Sequence, residues 1–183
     1  MSEDLLARIR GMHALWQRGV ADLTLAQVNH VERAGVLPIA FTLVHAVRGE
    51  DASATSLLEA GPLLWDAHVE RIGFRGTVPQ RGTPLAEAER VRLGDLDAWR
   101  AYQSAVFDRT ERALAALSAD RFDLPMFGGQ RPASLEGSFL AAYVTEGPIR
   151  RRSAIEALVF QHGSRHLGEL EHARALVGLG GLS

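Results

Sequence analysis

Apolar residues recur at three- and four-residue steps along most of this chain, the period of a helix with one buried face. Leu5, Ile9, Met12, Trp16 and Val20 make one stripe and predict a helix from Ser2 to about Val20. Ser2 with Glu3 and Asp4 sets a cap and negative charge at its positive end. "DLTLAQVNHVERAG" reads as a turn, a short helical piece and an exit through Gly35. A second helix should start at Pro38, where a missing N–H costs nothing, and run to about Glu59 before Gly61-Pro62 stops it. Its first half is apolar nearly all round, so it belongs deep in a core.

Residues 61–92 are punctuated by Gly, Pro and Arg and predict a short helix around Leu63 to Arg71, then a long surface connection. A third long helix follows from about Leu93 to Leu117, with Trp99, Tyr102, Val106, Ala113 and Leu117 on its stripe. "DRFDLPMFGGQRP" is a loop, and "ASLEGSFLAAYV" predicts a short extra helix. The last long helix covers about Ile149 to Val177 and ends at "GLGG". No segment reads as a β-strand. The expected fold class is all-α: a four-helix bundle, with short extra helices in the connections, formed by residues 1–183 as one domain.

Composition narrows the function classes. Hydrophobic residues make up 46% of the 183 and charged residues 23%, as in ordinary globular proteins. A net charge of −2 gives no electrostatic reason to expect nucleic acid or an anionic membrane as partner. All 20 basic residues are arginine, which reads as a base-composition bias rather than the mark of one site. The absence of cysteine removes disulfides, thiolate metal ligands and a protein thiol nucleophile. The N-terminal stretch is charged and amphipathic with no secretory h-region, and no apolar run reaches bilayer length, so the expected location is the cytoplasm.

The candidate chemistry lies in the histidines. The stripe of the last helix runs Ile155, Val159, His162, His166, Leu170, Ala173, Val177. His162 and His166 are one turn apart on one face, about 40° from each other, and Glu169 falls within about 60° of them. Two imidazoles at this spacing can reach one metal ion. The alternative is that each is a core residue hydrogen-bonded to a carbonyl or carboxylate, but burying two unpaired polar rings costs several kcal/mol. His45 is a third polar residue in a buried helical segment, and facing helices of a bundle can supply ligands to one site. Three neutral nitrogens would leave a fourth coordination position open, the pattern of a catalytic rather than a structural centre.

Two stretches, "PIAFTLVHAVRGED" and "HGSRHLGE", carry a resemblance to the DinB-like superfamily of metalloenzymes, which includes the metal-binding domains of mycothiol- and bacillithiol-dependent enzymes. The similarity spans most of the chain: an amphipathic first helix, "DLTLAQVNHV" after it, His45 on the second helix and the paired histidines on the fourth. It implies an up-down-down-up bundle and a divalent metal, often zinc or nickel, on a triad whose positions here are His45, His162 and His166. Glu169 departs from the pattern, since that position is commonly glutamine. Nothing between Leu117 and Arg150 matches a family motif. A homodimer is also among the family's implications.

Two functions of different class follow. In the first, the open metal position takes a low-molecular-weight thiol, activates it as thiolate and directs it at a small electrophilic substrate, a thiol S-transferase reaction. A hydrolytic variant would use Glu169 as general base. In the second, the histidines hold a metal for stability or sensing and the protein is a non-catalytic binding module. Glu169 is the one candidate catalytic residue, with a role in orienting a ligand as its alternative. Glu50 and Asp51 are expected to hydrogen-bond within the bundle or at its surface. His13 should pack near Trp16, His30 and His68 fall in connections, and His172 should face away from the site. Arg150, Arg151 and Arg152 open a helix, where an anion site and a solvated cluster compete, and the cluster is favoured. Trp99 and Tyr102 read as core.

Overall fold

The computed structural model describes residues 2–182 except for the side chains of Ser2 and Ser134, so the cap expected of Ser2 lies outside the described residues. Four long helices carry the fold. They are α1 (Ser2–Ala21), α2 (Ile39–Leu57), α3 (Leu96–Ala115) and α4, a continuous run made of Arg151–Ile155, a π-helical stretch Glu156–Gln161 and His162–Leu176. Short helices sit in the connections, at Leu25–Val28, Trp65–Ile72, Leu85–Ala88, Ala119–Phe122 and Phe139–Tyr143. Among the described residues only isolated bridges, Arg75 with Arg92 and Pro125 with Arg150, resemble sheet. No described helix is long and apolar enough to cross a membrane.

Side-chain contacts fix the helix directions. Arg10 and His13 of α1 meet Glu111 near the end of α3, whereas Arg100 near the start of α3 donates to the carbonyls of Val20 and Ala21; these two run antiparallel. Arg8 with Glu156, Trp16 with Gly163, and Arg174 with the carbonyl of Gly19 make α1 and α4 parallel. Arg151 pairs with Glu59 at one end and His45 meets His162 at the other, so α2 opposes α4. Asp51 meets Tyr102, and Arg109 reaches Thr55 and the carbonyl of Pro62, so α2 and α3 are parallel. The order is therefore up-down-down-up, with α1 and α2 on opposite corners.

The core has two apolar clusters, one around Trp16, Leu43, Trp99, Tyr102 and Leu170, the other around Leu5, Ile9, Leu57, Leu114 and Ile155. Between them each long helix contributes polar groups: His13, Glu50 and Asp51, Thr110 and Glu111, His162 and His166. Asp51 is fully buried and fully used. Its carboxylate accepts from the backbone N–H of Leu64 and Trp65 and from the Tyr102 hydroxyl, and it pairs with Arg109. One side chain thus ties α2 to α3 and to the helix Trp65–Ile72, and a buried carboxylate is stable only with such partners.

Several expectations change in detail. The second, third and fourth helices each start or stop two or three residues inside the predicted bounds. The connection 73–95 contains the one-turn helix Leu85–Ala88, set up by Pro84. On α4 the buried face runs Ile155, Val159, Gly163, His166, Leu170, Arg174 instead of through Ala173 and Val177. Arg174 can occupy that stripe because its guanidinium pairs with both oxygens of Asp22 and donates to Gly19 and Gly180 carbonyls.

Candidate metal centre

His45 comes from the middle of α2, and His162 and His166 from consecutive turns of α4 just past its π-helical stretch. A π turn widens the backbone and marks many functional sites. Here it precedes His162 directly. Two glycines let the helices close in. A Cβ on Gly49 would lie 3.3 Å from Cε1 of the His162 ring, and one on Gly163 would lie 2.5 Å from Sδ of Met12. The Gly163 carbonyl also accepts from Nε1 of Trp16 at 3.1 Å, which pins this turn to α1.

The three rings converge through Nε2. His162 Nε2 lies 3.3 Å from His45 Nε2 and 3.2 Å from His166 Nε2, and one ligand atom of each lies within 4.8 Å of the others. Metal–nitrogen bonds of 2.0–2.1 Å at a tetrahedral angle would separate the nitrogens by about 3.3 Å, so the spacing fits. Protein-only hydrogen bonding serves this cluster poorly, because a single Nε2–H can be given to one neighbour and not to two. His45 Nδ1 is buried and has no partner among the described residues. The set can hold a divalent cation.

Electrostatics agree with that chemistry. Burial, reinforced by the charge of His166, pushes His45 down to about 4 and His162 down to about 3. Both rings are neutral at physiological pH, the state that offers a lone pair. Glu169 Oε2 lies 2.6 Å from His166 Nδ1. An ionised carboxylate only accepts, so Nδ1 carries the proton and Nε2 is left as a lone-pair donor. Glu169 therefore touches a ligand ring rather than the point where the three Nε2 atoms converge.

The other sequence-predicted residues fall as follows. Glu50 and Asp51 lie outside the triad, both buried in hydrogen-bonded positions. His13, expected near Trp16, makes its polar and ring contacts across to other helices. It stacks on Phe107 at 3.9 Å between ring centroids and spans Glu50 and Glu111. His68 lies on the helix Trp65–Ile72 with Nδ1 2.8 Å from the Leu64 carbonyl. Arg150, Arg151 and Arg152 are ion-paired to Asp123 and Glu59, so they form a paired surface cluster. Trp99 and Tyr102 are fully buried core. His172 misses the triad but lines a groove next to it that residues 33–37 complete. The sequence carries no signal for that groove, because its two walls are distant along the chain.

No protein-family model matches the chain, and no curated protein matches it. Among solved structures, one described as the conserved protein of a locus from Enterococcus faecalis is similar across 97% of this chain and 96% of that one. Its TM-score is 0.73 at 15% sequence identity, a likeness of fold.

Proposed function

We propose that the chain is a DinB-like metalloprotein whose His45–His162–His166 centre serves a thiol-dependent S-transfer reaction. The observation that carries this reading is the convergence of three Nε2 atoms at 3.2 and 3.3 Å, with a single carboxylate behind one ring. A divalent cation held there, zinc or nickel, would favour the thiolate form of a low-molecular-weight thiol at neutral pH. The chain's own residues do the rest. Glu169 keeps His166 in the tautomer that presents Nε2, and the buried surroundings of His45 and His162 hold protons off both rings. With no cysteine, the protein offers no competing thiol, so the nucleophile arrives with the cosubstrate. Engagement of Glu169 with His166 favours its orienting role over that of a general base for hydrolysis.

The test begins with elemental analysis of untagged protein. Near one equivalent of metal in the wild type and almost none in His45→Ala or His162→Ala, with helicity retained, is the expected result. Metal-loaded wild type should then accelerate coupling of glutathione, mycothiol or bacillithiol to 1-chloro-2,4-dinitrobenzene, and His162→Ala should not. Metal in the protein but equal rates in both would leave the binding-module reading and remove the transferase.

A further inference from the structure

A groove of about 610 Å³ runs between the chain before α2 and the outer face of α4. One end abuts Glu169 and Arg165, the residues flanking His166, and the wall continues through Val36, Leu37 and Leu176. From Arg165 to Leu176 the helix rises about 16 Å. Two exposed arginines line this space, Arg165 and Arg33. Neither has an ion pair or hydrogen bond among the described residues; the only partner of Arg165 is the ring of Phe139, 4.8 Å from its Cζ. A smaller pocket between α1 and α4 differs on this point, since its Arg8 is bonded to Glu156 at 2.7 Å.

Arg165 lies close enough to the triad for its charge to bear on both His45 and His162. Glu169 is the acidic group in the groove, and its Oε2 is engaged with His166. The remaining surface offers two planar cations at exposed positions and a strip of aliphatic side chains. Guanidinium forks match carboxylate and phosphate oxygens in pairs, and the aliphatic strip suits a hydrocarbon chain.

We infer that this groove binds the substrate of the proposed centre as a small amphipathic oxyanion, its acid group on Arg165 and Arg33 and its hydrocarbon along Val36, Leu37 and Leu176. The inference rests on the three-histidine reading for the site of reaction, but the binding surface is independent of any metal.

Calorimetric titration with octanoate and with monooctyl phosphate, against neutral octanamide, tests it in wild-type, His162→Ala, Arg33→Gln and Arg165→Gln proteins. Saturable binding of either anion to both wild type and His162→Ala is expected, with octanamide weaker by about tenfold and each arginine change costing about fivefold to tenfold. The preferred headgroup separates carboxylate from phosphate. Equal binding of octanamide would make the groove an apolar slot and overturn the proposal. Binding lost in His162→Ala but untouched by the arginine changes would put the acid group on the metal, and would overturn it equally. If neither anion binds metal-loaded wild type, the groove assignment fails while the metal centre stands. Binding by a protein that takes up no metal would sink the centre and leave the groove.

Discussion

His13 and His162 are both histidines set into long helices at the same level of the bundle, and their surroundings are opposite. His13 is 2% exposed, with Nδ1 2.8 Å from Glu111 and Nε2 3.0 and 3.2 Å from the two oxygens of Glu50. Burial alone would lower its pKa, but the charges and hydrogen bonds of Glu50 and Glu111 outweigh it and raise the value above ordinary histidine. His162 has other imidazoles for neighbours, and burial takes it down to about 3. One ring is held between two acids; the other faces two more imidazoles. Residue type is shared and desolvation lowers both, so the charge of the neighbours decides which histidine supports the fold and which can hold a metal.

The sharpest way to break this contrast is His13→Ala. It strands Glu50 in the core without its partner, and we expect a loss of about 3–5 kcal/mol in urea unfolding, with metal content per folded molecule unchanged. A loss below about 1 kcal/mol would show that His13 is dispensable to the acids. Glu169→Gln addresses the other ring. A neutral amide can still accept from His166 Nδ1, so metal should bind with affinity lowered about 10-fold to 100-fold in chelator competition. Loss as complete as in His162→Ala would make Glu169 a ligand.

Acid sharpens the distinction further. In metal-free protein the unfolded histidines titrate near 6.5, while folded His45 and His162 hold out to about 4 and 3. The unfolded state then binds more protons, so these two rings destabilise the fold progressively as pH falls from about 6.5 towards 3. His13 works in reverse: its contribution is full below about 6.5 and is lost as pH rises through its raised value. Between pH 7 and pH 5, His162→Ala should therefore lose less stability than metal-free wild type, by about 2 kcal/mol. Parallel curves would mean the ring is not buried neutral. The smallest effect belongs to Gly49→Ala, whose methyl would press on the His162 ring. Metal affinity should fall about threefold while the apo bundle holds or gains stability, alanine being the better helix former. An unchanged affinity would show that the ring can yield.

The helix count, the chain order of the elements and the three histidines were legible because each rests on local periodicity or on one unusual polar residue in an apolar run. The His13–Glu50–Glu111 bridge was not, since it depends on how α1, α2 and α3 are set against one another lengthwise, and no spacing within one helix encodes that. Arg174 was hidden for the same reason, as Asp22 lies on a distant part of the chain. The identities of Glu50 and Asp51 were noticeable, but their burial needed the partners that the fold brings. Likewise the groove beside Glu169 joins residues 33–37 to the far half of α4.

The π-helical stretch Glu156–Gln161 has a consequence for the phase of α4. A π turn holds about one residue more than an α-turn, so it rotates everything beyond it by about 100° relative to an unbroken helix. The first segment of α4 is committed to one set of bearings, with Arg151 on Glu59 and Arg152 on Asp123. The segment beyond is committed to another, aimed at His45 across the bundle. The extra residue works as a gear between them: it lets a single rod keep its grip on the bundle's end while presenting its histidines at an angle that end did not choose.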